Sequence, residues 1–205
     1  LRLKENVGLG RALNEGLKCC KNEAVARMDS DDIACKDRCE KQLRVLEEGI
    51  DIVSGTVVEF EKDILHCKAK RTLPLSKEEI LKFAGRRNPF NHPCVMYRKE
   101  AVEKAGGYQH FYLFEDYYLW ARMLLLGVEA RNLPDTLLYM RAGTGMYKRR
   151  GGWKYVKSML HFRLFLWKSG LSSFLDFVVC AGGQMMICLI PNRLRELFYK
   201  KFLRK

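Results

Sequence analysis

Helical and strand-like hydrophobic patterns alternate along the first 140 residues, and this alternation is the strongest limit on how the chain can fold. In "VGLGRALNEGLKCC", Leu9, Ala12, Leu13, Leu17 and Cys20 recur at helical spacing, predicting a helix over 9–20. "EAVARM" is short, apolar and bounded by polar residues, as a buried strand is. "CKDRCEKQLRVLEEG" returns to helical spacing through Cys39, Leu43 and Leu46 and stops at Gly49. "DIVSGTVVEF" is β-branched and predicts a strand, and residues 63–74 read as an exposed strand pair. "SKEE" at 76–79 is a capping box opening a helix through Phe83. "RRNPFNHP" is loop because Pro89 and Pro93 restrict the residues before them. A strand ("CVMYR"), a glycine-stopped helix ("KEAVEKAGG"), an apolar helix over 115–126 and two strands ("VEARNLP", "TLLYMR") complete the series. Such a succession predicts an α/β domain with a mixed, mainly parallel sheet, whose ligands bind beyond the carboxyl ends of the strands.

"DSDD" follows directly after the first predicted strand. It places Asp29, Asp31 and Asp32 within four positions, a crowding that water, a helix N-terminus or a cation must offset. Acidic turns also cap helices. Hard oxygen ligands in this pattern suit Mg²⁺ or Mn²⁺, with water or phosphate oxygens filling the other positions. Glu115 and Asp116 in "FEDYYLW" open an apolar helix, where carboxylates complement the dipole and one at a cleft edge could act as a general base. Arg86, Arg87, Asn91 and His92 ride on the proline-stiffened loop, and Lys148, Arg149 and Arg150 sit beside glycines as a candidate phosphate clamp.

Charge separates the two ends of the chain. Residues 1–140 carry 23 basic and 22 acidic side chains, whereas 141–205 carry 14 basic and only Asp176 and Glu196. The apolar run from Phe177 to Ile190 is 14 residues, short of the ~20 that a spanning helix needs. Residues 151–205 therefore read as a basic amphipathic helical region lying on an anionic membrane, appended to a domain over 1–150. Nucleic-acid binding is the rival reading of the basic end. It is disfavoured by the neutral α/β part and by a tail richer in Phe, Leu and Ile than phosphate contact needs. Eight cysteines form no CxxC pair, and Cys35 with Cys39 lacks a partner pair for a tetrahedral site, so they read as reduced, small apolar residues.

Taken together and in order, "NVGLGRALNEGL", "RMDSDD", "KDRCEKQLRVLEE", "NPFNHPCVMYRKEAVEKAGGY" and "FEDYYLWARMLLLG" resemble the family 2 glycosyltransferases of the GT-A fold. The likeness is closest to bacterial enzymes of capsule, exopolysaccharide and O-antigen synthesis. This resemblance implies that Asp29 and Asp31 are the DXD pair holding a UDP- or dTDP-sugar and its Mg²⁺ or Mn²⁺, with Arg149 and Arg150 as cofactor contacts. It makes Asp116 the catalytic base with Glu115 beside it, and assigns substrate contacts to Asp32, Asn91, His92 and Arg86. The implied reaction is inverting transfer to a polyprenyl-diphosphate-linked saccharide at the cytoplasmic face of the plasma membrane, by a peripheral protein. The family opens with a strand and turn that bind base and ribose, upstream of the matched region. On that reading the chain is N-terminally truncated, and a catalytically inactive remnant is the alternative.

Overall fold

The computed structural model describes residues 1–61, 63–142 and 152–189. Its elements run α1 (Leu9–Cys19), β1 (Ala24–Ala26), β2 (Ile33–Ala34), α2 (Arg38–Glu47), β3 (Ile52–Phe60), β4 (Cys67–Arg71) and α3 (Lys77–Ala84). A 3₁₀ turn at His92–Cys94 leads into β5 (Met96–Arg98), α4 (Lys99–Lys104), α5 (Glu115–Leu125), β6 (Ala130–Arg141), α6 (Trp153–Lys168) and α7 (Phe174–Leu189).

The sheet has the order β1-β5-β3-β6-β2, with β4 on β3. It is mixed, as the sequence predicts, and its parallel pairing is confined to the long β3–β6 ladder; the other pairs are antiparallel. Connection length explains the difference. β4 returns to β3 after a short turn, which only an antiparallel neighbour allows, while β3 reaches β6 through the α3–α5 crossover that parallel neighbours need. The strand pair predicted over 63–74 is instead this single strand β4, laid against β3.

Alternation along the strands assigns the two faces. Ile52 pairs with Tyr97 and Val53 with Met96. Ile52 and Tyr97 join one core with Ile80, Phe90, Leu119 and Trp120 beneath α3–α5. Val53 and Met96 point the other way, onto Val45 and Leu46 of α2. The two strands read in "VEARNLPDTLLYMR" are one, because Pro134 and Asp135 bulge out of the ladder, which resumes at Thr56–Thr136. The bulge folds Leu137 over Gly55, where a Cβ would stand 2.5 Å from Leu137 Cδ1, so only glycine fits.

The capping box is present, with Ser76 and Glu79 satisfying each other's backbone N–H groups. The break expected at residue 150/151 is not a break in packing. Helix α6 seats Tyr155, Val156, Met159, Phe162 and Leu166 against Phe114, Tyr117 and Ala121, so its apolar face is occupied by protein, not lipid. The physical reason is its helical spacing, which aligns the aromatic residues on the side facing α5. Among the described residues no helix is long and apolar enough to cross a membrane.

Candidate active site

Four elements converge where β1 ends. Beyond Ala26 the chain stays in register with β5, Arg27 N–H donating to the Val95 carbonyl at 2.9 Å. Two buried polar side chains of α2 lock this exit. Arg38 donates to the Arg27 carbonyl at 2.7 Å, and Gln42 donates to the Cys94 carbonyl at 2.7 Å. The Asp29–Asp32 turn follows, closed by Asp32 N–H to the Asp29 carbonyl at 3.3 Å. It caps no helix: α2 starts after Asp37.

The three aspartates have different surroundings. Asp29 is half-buried and pairs with Arg27 at 2.7 Å. Asp31 faces solvent. Asp32 turns inward at 8% exposure, accepting the Arg141 backbone N–H at 2.8 Å through Oδ1 while Oδ2 has no partner among the described residues. Burial, opposed by that hydrogen bond and helped by the Asp29 and Asp31 charges, raises its carboxyl from 3.8 to about 6. A crowded acidic turn with one orphaned oxygen fits a hard divalent cation, which Asp29 and Asp31 would hold. Among the described residues no group of three or more His, Cys, Asp or Glu side chains converges as a closed cage, so water and phosphate would complete the shell.

Arg27 is a residue that the sequence reading passed over. It is 6% exposed, and its Nε and Nη1 have no partner among the described residues. A charged residue inside a short apolar strand run was the available signal.

Helix α5 begins at Glu115 without a side-chain cap, so its first-turn carboxylates complement exposed N–H groups. Leu113, at φ 62°, holds a backbone conformation that non-glycine residues rarely adopt, two residues before the helix. Asp116 is partly buried, and its Oδ2 accepts from Asn88 Nδ2 at 2.8 Å. Asn88 was also missed, because nothing in "RRNPFNHP" shows which amide turns inward. Glu115 packs its Cγ 3.7 Å from the Cβ position of Gly10, on α1. Helix α1 is tied to the same region by Asn14, which donates to the Tyr108 carbonyl at 2.7 Å and accepts its N–H at 2.8 Å.

His92 feels the charges of both acidic motifs. Burial pushes its imidazole from 6.5 down to about 4, Asp116 and Asp29 act in the opposite direction, and Arg27 adds to the lowering. The ring is therefore neutral at pH 7. Its Nε2 lies 3.1 Å from the Tyr108 hydroxyl, and its face meets Trp120 at 5.9 Å between centroids. Asp29, His92 and Asp116 thus share one electrostatic neighbourhood.

Two other candidates are not there. Asn91 is 2% exposed, and its Nδ2 binds the Gly55 and Arg71 carbonyls at 2.9 and 3.3 Å; it ties the loop to the sheet and offers substrate no amide donor. Arg86 points to the C-terminal helices, pairing at 2.6 Å with Oδ1 of Asp176 on α7, whose Oδ2 accepts from Ser173. Arg149 and Arg150 lie outside the described residues.

Comparison with known proteins supplies the family. A family model described as glycosyl transferase family 2 matches residues 1–106. The chain belongs to glycosyl transferase family 2. It is 41% identical over 206 residues to the amylovoran biosynthesis glycosyltransferase AmsE of Erwinia amylovora, covering 97% of this chain and 75% of that protein. It is 37% identical to the UDP-Gal:alpha-D-GlcNAc-diphosphoundecaprenol beta-1,3-galactosyltransferase of Escherichia coli, covering 99% of this chain and 74% of that protein. The mannosyltransferase PcManGT of Pyrobaculum calidifontis, solved with GDP-Man and Mn²⁺, superposes with TM-score 0.57 at 16% identity, over 95% of this chain and 53% of that one. S. aureus TarS 1-349 gives TM-score 0.52 at 18% identity, over 97% and 68%. The fold is accordingly the GT-A arrangement, and in this glycosyltransferase His92 is within electrostatic reach of Asp29 in the acidic turn and of Asp116 at the α5 start.

Proposed function

We propose that this glycosyltransferase moves a sugar, with inversion, from a nucleoside-diphosphate sugar to a hydroxyl of a lipid-linked saccharide during bacterial surface polysaccharide assembly. The observation carrying the reading is the Asp116 carboxylate, held by Asn88 at 2.8 Å, beside a neutral His92 that feels the charges of both Asp116 and Asp29. An inverting transfer has to stabilise two developing charges, a proton leaving the acceptor and a diphosphate leaving the donor. Asp116 receives the acceptor's proton, and Asn88 fixes the carboxylate that receives it. Asp29 and Asp31 would hold a divalent cation, which would supply charge neutralisation for the departing diphosphate. Asp32 backs that turn, His92 lines the space between the motifs, Glu115 braces the helix start against α1, and Arg149 and Arg150 are contacts for the diphosphate. The donor is a UDP- or dTDP-sugar. The Escherichia coli relative is named for a UDP-Gal donor and an undecaprenol-diphosphate GlcNAc acceptor, which supports a lipid-linked acceptor here. Such an acceptor is met at the cytoplasmic membrane surface, and the basic end of the chain fits an anionic one.

The test is a panel of nucleotide sugars with Mn²⁺ and a short-chain polyprenyl-diphosphate saccharide, comparing the wild type with Asp116→Asn. Transfer is expected to fall by roughly 10³-fold or more, the scale of losing a general base together with the electrostatics around it. Donor affinity measured by calorimetry is expected to stay within about threefold, a change of under ~1 kcal/mol. Loss of donor binding in the variant would place Asp116 in the nucleotide site instead.

A further inference from the structure

The pairing of Arg86 with Asp176 belongs to a larger clamp. Residues 84–86 end α3 and open the loop that carries Asn88, and their carbonyls are all taken by partners from distant helices. Tyr117 of α5 donates to the Ala84 carbonyl at 2.5 Å. Arg163 of α6, 4% exposed, donates to the Gly85 and Arg86 carbonyls at 3.3 and 2.8 Å. Its remaining Nε donates at 2.9 Å to Gln184 of α7, and Arg86 itself reaches Asp176 of α7 at 2.6 Å. The fit is close: a Cβ on Gly85 would stand 2.6 Å from the Leu171 carbonyl in the α6–α7 turn. Two residues after Arg86, Asn88 holds Asp116. Helix α7 is therefore joined to the candidate base through one short segment of backbone.

The other side of α7 is uncovered. Phe174, Leu175, Val178, Val179 and Met186 form a stripe at helical spacing, with Leu175 70% and Val179 62% exposed. A Cβ on Gly182 or Gly183 would meet nothing within 4 Å. In the same region of the chain, residues 152–189 expose Lys154, Lys157 and Lys168 and carry Asp176 as their one acidic residue, and the sequence from 190 onward adds six basic residues and Glu196. A second copy would bring like charges together; an anionic bilayer complements them.

Resting on the membrane reading above, we infer that the outer stripe of α7 docks on an anionic lipid surface and that docking steadies residues 85–92 through Arg86–Asp176 and Arg163, so that the base is held in place where the lipid-linked acceptor is met. The interface helix is thereby a positioning device as well as an anchor.

The full chain is mixed with phosphatidylglycerol–phosphatidylcholine vesicles, and partition is read by sedimentation and backbone exchange by deuterium uptake. Leu175→Glu with Val179→Glu, both on exposed positions, is expected to lower partition at least tenfold with unchanged thermal unfolding. Vesicles are expected to slow exchange over 85–92 at least threefold in the wild type. Arg86→Gln is expected to keep partition and lose that slowing. Unchanged partition of the double variant overturns the docking face, as does a wild-type dimer in light scattering that the double variant dissociates. Unchanged exchange over 85–92 on wild-type docking, or slowing retained in Arg86→Gln, overturns the linkage, and so does loss of partition in Arg86→Gln. None of these readouts needs sugar transfer, so a chain that docks and steadies its loop without transferring sugar counts against the proposed reaction and not against this inference.

Discussion

Asn88 offers a sharp perturbation of the site, because its side-chain amide donates to one atom of Asp116. Asn88→Ala removes the donor 2.8 Å from Asp116 Oδ2 and the weaker contact from Phe90 N–H to Asn88 Oδ1 at 3.3 Å. A hydrogen bond to a charged group contributes roughly 1.5–3 kcal/mol. Where that bond fixes the carboxylate along the line of proton transfer, its loss lowers kcat by about 10- to 100-fold, at ~1.4 kcal/mol per factor of ten. Donor KM is expected to stay near the wild-type value, since the proposed diphosphate contacts are Asp29, Asp31, Arg149 and Arg150 and not Asn88. Asn88→Asp gives an independent check. A second carboxylate at the same distance disfavours ionisation of both, an interaction of about 4 kcal/mol for unit charges 4 Å apart at an effective dielectric of 20. The acid limb of the kcat profile is then expected to move up by at least about one pH unit, the smaller shift reflecting partial exposure. Initial rates across pH 5–9, with calorimetric donor binding as a control, read both effects. Wild-type kcat in Asn88→Ala, or a loss expressed wholly in KM, would refute Asp116 as the base that Asn88 orients.

His92 and Arg27 give two further tests. The His92 imidazole has its pKa lowered by burial to about 4, against 6.5 in the unfolded chain, so the unfolded state binds more protons between those values. Stability that is complete above pH 6.5 is lost as pH falls towards 4, about 3 kcal/mol in all, and urea unfolding of wild type against His92→Gln should show the gap closing on acidification. An imidazole resonance titrating near 6.5 would contradict it. Arg27→Met replaces a buried guanidinium that has two unpartnered nitrogens and whose partner, Asp29, is exposed to water. Such exchanges are neutral or stabilising by roughly 1–2 kcal/mol, so an unchanged or higher Tm is expected, and a fall of several degrees would mean that Arg27 is held by more than Asp29.

Periodicity made the first 140 residues legible because each helix and strand there has a face to bury and a local stop signal. Ser76 with Glu79 marked the start of α3, and Gly127 at φ 81° marked the end of α5. The acidic turn and the Glu-Asp helix start were legible too, since carboxylates beside a strand end and at a helix start stand out in any reading. Strand β2 was not, because two residues carry no period. Side-chain direction was also hidden. The prolines of "NPFNHP" announced a rigid loop, but whether Asn88 or Asn91 faces the site depends on backbone carbonyls supplied by β3 and β4. Arg86 found its partner 90 residues away, and such a pairing leaves no trace in local sequence. The aromatic and basic interleaving of α6 suggested an interface helix. Its positions 155, 156, 159, 162, 163 and 166 form a stripe that suits a protein neighbour equally well, and α5 is that neighbour.

Helix α5 makes the C-terminal region part of the enzyme's core and not an appendage. One of its faces, with Leu119, Trp120 and Met123, closes the core against the sheet, and the opposite face, with Tyr117 and Ala121, is covered by α6. Asp116 sits at the start of this doubly packed helix, so its position depends on both layers. A chain ending at residue 150 uncovers Phe114 and Tyr117, each worth about 1.5–3 kcal/mol of burial. It also strips Arg163 from the carbonyls of Gly85 and Arg86, at about 1 kcal/mol per hydrogen bond. The sum is on the order of 5–8 kcal/mol, comparable to the whole stability of a domain at ~5–15 kcal/mol. The shortened chain is therefore expected to lose cooperative thermal unfolding and to bind hydrophobic dye. Cooperative unfolding with a dispersed amide spectrum would show instead that the first layer holds α5 unaided, and the dependence of Asp116 on the C-terminal helices would fall with it.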